Sequence, residues 1–308
     1  MYFIIVGILL FTGCQQSIIK KTQIFMDYRN MQGQKYVNGE CSYKECSENF
    51  KKKYEELFGH QKLDFSKYSN EILKELWKVD YIISFHSIEQ KYLSEVENIF
   101  ENLKKRNLDR EKCTMDSCAE EIFDLYIKFG YFSKAKELQK KYPDIIKEYI
   151  PEVIEDTSVV KNKYKLYEVL EDGKVLKLTS IQIEKGPKVI IFASTECEFA
   201  KKALGIILSD ENLRKYFEEN GILIFPINTS ISEISSISEW NKNNKLKWFV
   251  HSSRKDLSKD WENFDITKSP NFYFLKDGKI MFQINGFVPS EEKFKLELYK
   301  GIDKINPK

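Results

Sequence analysis

Several residue types that define common active sites are scarce or badly placed in this chain of 308 residues. It has only 3 histidines, and no Ser-His-Asp order, phosphate-binding glycine loop or metal-binding helix motif is present. Lys and Arg total 49 against 47 Asp and Glu, so a net charge of +2 provides no basic field for nucleic acid. We therefore expect no nucleic-acid partner, no metal and no cofactor.

The chain also lacks a long apolar run near its start. Tyr2 to Phe11 is apolar but too short to span a bilayer as a helix. It leads into Thr12-Gly13-Cys14, and an apolar segment followed by small residues is the pattern of a secretory signal. The pattern resembles the lipobox of bacterial lipoproteins, although no Lys or Arg precedes the run. The resemblance implies that residues 1–14 are a signal peptide and that lipid on Cys14 anchors the protein to a membrane. A short hydrophobic tail is the alternative.

Cysteines are few, and their spacing is uneven. If Cys14 carries lipid, the mature chain lies outside the cytoplasm, where disulfides persist. The other five form two Cys-x4-Cys motifs and one leftover: Cys41 with Cys46, Cys113 with Cys118, and Cys197. Two cysteines five apart in one helix point to different sides. Each motif is therefore a loop staple just before a helix, or the two motifs cross-link to each other. A four-thiolate zinc site is the alternative, but its usual spacings are tighter.

The pattern of apolar residues changes near residue 150, from helical spacing to short strand-like runs. Apolar residues at helical spacing predict a helical domain over 15–150, which contains both Cys-x4-Cys motifs. A charged stretch with Pro151 follows. Beyond it, a hairpin signal at Glu171-Asp172-Gly173-Lys174, buried-type strands at 188–192 and 222–227, and a helix over about 198–219 predict an α/β domain.

Three landmarks carry a resemblance to a known fold. They are the strand that runs into the Cys197 turn, Ser269-Pro270 immediately before a strand, and the Lys276-Asp277-Gly278-Lys279 hairpin followed by Gly286. In this order they resemble the thioredoxin fold over residues 164–303. The insert between the second strand and Pro270 resembles the TlpA/ResA branch of membrane-tethered thiol-disulfide oxidoreductases, through Glu239-Trp240, Lys247-Trp248 and Trp261. The resemblance implies a mixed sheet flanked by helices, preceded here by an all-α domain. It also implies a cis Pro270 facing Cys197, in a substrate groove with Ser269, Glu196 and Glu198.

The departures from that family concern its chemistry. Active members have a resolving cysteine three residues after the first and a tryptophan before it, where this chain has Ala200 and Glu196. The family often buries a carboxylate in the strand before the active site, and the strand Val189-Ile190-Ile191-Phe192 has none.

These differences set the expectation for Cys197. A helix N-terminus stabilises a thiolate, whereas the carboxylates of Glu196 and Glu198 disfavour it, and Lys201 and Lys202 offset part of that effect. Without a resolving cysteine, a second thiol must come from elsewhere. We expect thiol-disulfide exchange through Cys197 in the cell envelope, with protein thiols or disulfides as partners. The alternative is a non-catalytic binding or assembly module for an envelope protein.

Overall fold

The computed structural model describes residues 2–59, 63–106, 115–156, 159, 162–227, 231–288 and 290–306, with the backbone alone at 2–15, 115 and 116. The chain forms two compact units. The first comprises Met1–Leu125 and Leu138–Ile146, and the second comprises Tyr126–Glu137 and Lys147–Lys308.

The N-terminal region is helical. Its elements are α1 (Tyr2–Val37), α2 (Tyr43–Phe58), α3 (Asn70–Ser87), α4 (Gln90–Lys105), α5 (Met115–Lys128) and α6 (Phe132–Lys141). The apolar positions of α3 and α4 recur every three or four residues and are buried, including Leu73, Leu76, Val96 and Ile99. Ser42 starts α2 with a capping box, in which its side chain and that of Glu45 each accept the other's backbone amide.

The C-terminal region contains one eight-stranded sheet. Its strands are β1 (Glu152–Ile154), β2 (Lys165–Leu170), β3 (Val175–Ser180), β4 (Pro187–Phe192), β5 (Gly221–Ile227), β6 (Trp248–Ser252), β7 (Asn271–Lys276) and β8 (Lys279–Asn285). Their order is β1-β3-β2-β6-β5-β4-β7-β8. Strands β4, β5 and β6 run parallel, whereas β2 and β7 pair antiparallel to their neighbours. The sheet is therefore mixed.

Both faces of the central strands are covered, as their unbroken apolar runs require. On one face, Ile190 and Phe192 pack into a cluster with Trp261 and Tyr273. On the other face, Phe272 meets Phe294 at 5.6 Å between ring centroids. The loop after β4 therefore begins at a strand that is packed on both faces.

The helices of this region are α7 (Glu198–Ser209), α8 (Glu211–Asn220), α9 (Glu233–Asn243), α10 (Lys255–Ser258) and α11 (Glu291–Ile305). A single helix over about 198–219 was expected, and that expectation is wrong. The helix is interrupted at Asp210, whose backbone is extended and whose side chain accepts a hydrogen bond from the amide of Leu213 at 3.1 Å. An aspartate that caps a new helix in this way ends the preceding one.

The fold class predicted from the sequence is confirmed, since an all-helical N-terminal region precedes a mixed sheet flanked by helices. Within the part of the chain that the structure describes, no helix combines the length and the apolar character needed to cross a membrane.

Candidate functional site

Cys197 lies at the junction between the sheet and a helix. Strand β4 ends at Phe192, a short loop follows, and Cys197 is the N-cap residue of α7 with extended backbone angles (φ −77°, ψ 114°). Its amide donates to the carbonyl of Ser194 at 3.2 Å, and its own carbonyl accepts the amide of Lys201 at 2.9 Å. The turn and the first helical hydrogen bond therefore fix the backbone of Cys197 from both sides.

The structure brings together Cys197, Ser269 and Pro270, as the resemblance implies. Cys197 is a half-buried free cysteine, and its thiol donates to the carbonyl of Ser269 at 3.3 Å. The peptide bond between Ser269 and Pro270 is cis. The amide of Gly286, at the end of β8, donates to the carbonyl of Pro270 at 2.9 Å. The thiol thus faces a loop that the sheet itself holds in place.

Ser269 has a second contact with the loop before Cys197. Its hydroxyl accepts the amide of Ser194 at 3.0 Å. Ser269 therefore touches Cys197 through its carbonyl and the preceding loop through its side chain, so it couples the two segments that form the site.

Sequence reasoning missed Glu233, the most heavily bonded residue of the site. It begins α9 and is 7% exposed. Its Oε2 atom accepts the amide and hydroxyl of Thr195, both at 2.7 Å, the hydroxyl of Ser194 at 2.8 Å and the amide of Glu196 at 3.3 Å. Buried carboxylates need such donors, and these come from the loop that precedes the thiol. No spacing rule links the two segments, so the sequence carried no signal for this contact.

Glu196 and Glu198 flank the thiol with exposed side chains. Glu198 forms an ion pair with Lys201 at 3.0 Å, and this hydrogen bond raises the pKa of Lys201. Because the pair is exposed, solvent screens it strongly. Both residues flank Cys197 in the chain, and Glu196 also donates its backbone amide to Glu233.

The position of the missing resolving cysteine is filled by a small side chain. Ala200 is 1% exposed and faces the interior of the C-terminal unit. Phe199, in contrast, is 56% exposed and stacks on Phe287 at 6.2 Å between ring centroids. The first turn of α7 therefore presents one sulfur and one aromatic ring at the surface.

The remaining cysteines lie in the helical region. Cys41, in the loop before α2, is joined by a disulfide bond to Cys46 in the first turn of that helix. The bond lies within one motif, as one of the two expected arrangements has it, but it reaches into the helix and does not lie wholly before it. Cys118 is buried in α5. Cys113 lies outside the described residues, and Cys14 belongs to the part of α1 whose backbone alone is described. The described residues contain no group of three or more His, Cys, Asp or Glu side chains placed to hold a metal ion.

Comparison with known proteins agrees with this geometry. Residues 176–300 match the sequence model of the thioredoxin-like domain family. The match spans the β3 to α11 region, including the Cys197 loop, Glu233 and Pro270, so the C-terminal region has a thioredoxin-like fold. Searches among curated proteins and among solved structures found no match to the chain.

Proposed function

We propose that the protein is a thiol-disulfide exchange protein of the bacterial cell envelope, in which Cys197 is the single nucleophile. The observation that carries this proposal is the position of the thiol in a thioredoxin-like domain. It is half-buried at the start of α7 and 3.3 Å from the carbonyl that precedes the cis Pro270. Cys197 is a free and partly accessible cysteine, and its thiolate would be the attacking species in exchange.

The proposed reaction needs two thiols in succession. The Cys197 thiolate attacks one sulfur of a partner disulfide, forming a mixed disulfide as the partner's own S–S bond breaks. The second partner sulfur leaves as a thiolate and takes up the proton that Cys197 gave to solvent. Because Ala200 has no sulfur, a thiol from outside then attacks the partner's sulfur in the mixed disulfide. An S–S bond forms between that thiol and the partner, the bond to Cys197 breaks, and Cys197 leaves as a thiolate that takes up the proton of the attacking thiol. The net result would be exchange of one thiol into the partner's disulfide, with Cys197 unchanged.

A second candidate is a binding module that keeps the fold and has lost the chemistry. The thiol of Cys197 already has an intramolecular partner, since it donates to the carbonyl of Ser269 at 3.3 Å. The exposed side chains of Glu196 and Glu198 flank it and offer polar contacts to a partner. This candidate uses the same surface to hold an envelope protein without covalent chemistry.

Labelling kinetics separate the two candidates. Cys197 of the folded chain is alkylated with iodoacetamide at neutral pH, and its rate is compared with that of the same site in the denatured chain. An exchange protein is labelled in the folded state at a rate within about tenfold of the denatured rate, or faster. Protection of about a hundredfold or more is the result expected of a binding module. A Cys197→Ser chain identifies the labelled site.

Localisation is proposed on the sequence pattern alone. We place the protein on a membrane through lipid on Cys14, following the apolar run that ends at Phe11. A Cys14→Ala chain expressed in a bacterial host should leave the membrane fraction, while Cys197→Ser should stay in it. Membrane association that survives the loss of Cys14 would refute the anchor.

A further inference from the structure

An exposed aromatic ring follows the thiol in the first turn of α7 and packs on a second ring. Phe199 stacks on Phe287 with an angle of 21° between the rings. Phe287 in turn packs on Phe294 at 5.0 Å, and Phe294 is fully buried in the core. We call Phe199 and Phe287 the aromatic platform. Because its lower ring is anchored to the core, the platform is held ready for a further ring.

The platform lies along both chain segments that form the site. Phe199 follows Cys197 by two residues in the first turn of α7. Phe287 directly follows Gly286, whose amide donates to the carbonyl of Pro270. The two rings are therefore carried by the same two chain segments that hold Cys197 and Pro270. Among the exposed large apolar side chains of the described residues, Phe199 is the only phenylalanine.

The charge next to the platform is negative. Glu196 is exposed, and it forms no ion pair with any residue that the structure describes. The carboxylate of Glu198 is already paired with Lys201. Lys202, the next cation of α7, lies more than one turn beyond Cys197. Glu196 interacts with Lys201 only at longer range, so its exposed carboxylate stays open to a direct ion pair with a partner. The same turn carries the exposed ring of Phe199.

We propose that this site selects partner segments in which the reacting cysteine has an aromatic residue and a lysine or arginine close to it. The aromatic side chain packs on Phe199, and the cation faces Glu196. This inference rests on the proposed exchange function, since it names the substrate of the same thiol. The covalent step is the one given above: Cys197 forms an S–S bond to the partner cysteine, and the other partner sulfur leaves as a thiolate and is protonated.

Synthetic peptides test the selection directly. Each peptide carries one cysteine activated as a mixed disulfide with 5-thio-2-nitrobenzoate. The full-length protein is added, and the release of 5-thio-2-nitrobenzoate is followed by its absorbance. The reference peptide has phenylalanine and lysine beside the cysteine. In a second peptide alanine replaces the phenylalanine, and in a third glutamate replaces the lysine. We expect the reference peptide to react about three- to tenfold faster than either. High salt should reduce the difference in rate between the lysine and glutamate peptides and leave the difference between the phenylalanine and alanine peptides unchanged.

Variants assign each preference to a side chain. Phe199→Ala should abolish the preference for phenylalanine, and Glu196→Gln should abolish the preference for lysine. Two matched controls should keep both preferences. Tyr149→Ala removes another exposed aromatic ring, 63% exposed, and Glu211→Gln removes an exposed carboxylate in the first turn of α8.

The outcomes separate this inference from the function on which it rests. Equal rates for the three peptides, with release from each, would overturn the selection and leave exchange standing. Preferences that persist in Phe199→Ala and Glu196→Gln would also overturn it. No release from any peptide or from activated glutathione, while the denatured chain reacts, would overturn both proposals.

Discussion

The carboxylate of Glu233 accepts the backbone amide of Thr195 at 2.7 Å, although the two residues are 38 positions apart. The same oxygen also accepts the side-chain hydroxyls of Ser194 and Thr195. A buried acid on α9 therefore fixes the loop that presents Cys197. The strand before the thiol contains no carboxylate. Glu233, on α9, instead provides a buried carboxylate that contacts the loop before Cys197.

Replacing Glu233 should loosen this loop. In Glu233→Ala, the amide of Thr195 loses its acceptor, and its hydrogen exchange should become faster. The amide of Glu196 keeps the hydroxyl of Ser194 as an acceptor at 3.1 Å and should change less. The free energy of unfolding should fall by about 2 kcal/mol, as is typical when hydrogen bonds to a buried charged group are lost. Glu233→Gln keeps one acceptor oxygen and should recover part of the protection. Glu239→Ala, an exposed change on the same helix, is the control. If the hydrogen exchange rate of the Thr195 amide is unchanged in Glu233→Ala, the loop does not depend on Glu233 for its conformation.

Restoring the missing sulfur should restore a dithiol site. Ala200 is buried one turn into α7, where a resolving cysteine would reach Cys197. We expect Ala200→Cys to reduce insulin disulfides in the presence of dithiothreitol faster than the natural chain does. Ala203→Cys, also buried but one turn further on, should give no gain. Neither should Ala200→Cys combined with Cys197→Ser. Failure of Ala200→Cys in a folded chain would mean that the groove no longer accepts a partner disulfide.

His251 should make the C-terminal unit sensitive to acid. It is buried in β6 beside Trp261, its ring nitrogens have no hydrogen-bond partner among the described residues, and burial lowers its pKa to about 4. The unfolded chain takes up a proton near pH 6.5, whereas the folded chain resists until about pH 4. The free energy of unfolding therefore falls as the pH drops through this window, by at most about 3 kcal/mol. Denaturant titrations from pH 8 to pH 4 should show a flatter dependence in His251→Leu, and an unchanged slope would exclude His251 as the cause.

The helical unit should respond to pH in the opposite direction. The hydroxyl of Tyr54 lies 2.8 Å from Asp80 and 2.7 Å from Glu95. Burial raises the pKa of Asp80 well above its ordinary value, and the neighbouring Glu95 adds to this, while burial also raises the pKa of Glu95. The folded state then keeps a proton that the unfolded state has lost, so stability falls as the pH rises above about 4. Between pH 5 and pH 8, Asp80→Asn should reduce that loss, measured by denaturant unfolding. Asp27→Asn, at an exposed position, should leave it unchanged.

The sequence predicted those parts of the site that lie on local patterns. The apolar run before Cys197, the Ser269-Pro270 pair and the hairpin at Asp277-Gly278 are short signals in a fixed order, and the structure brings the first two together. The break of the helix at Asp210 was missed because the apolar spacing continues through it and only the capping contact ends it.

Contacts between distant segments could not be predicted in the same way. Glu233 begins a helix that reads as an ordinary serine- and isoleucine-rich stretch, and nothing local indicates that its carboxylate is buried. Strand β1 was also missed, because its three residues lie in a charged stretch with no clear alternation and pair with β3, which is not the next strand along the chain. The stacking of Phe199 on Phe287 likewise depends on the folded sheet.

Reversible glutathionylation distinguishes an exchanging Cys197 from an inert one. The full-length protein is incubated with oxidised glutathione, and the mass and position of any adduct are determined before and after addition of reduced glutathione. We expect one glutathione on Cys197 of the folded chain, released by the added thiol and absent from Cys197→Ser. A folded chain whose Cys197 forms no adduct, although the same residue reacts once the chain is denatured, would contradict exchange and leave the binding module.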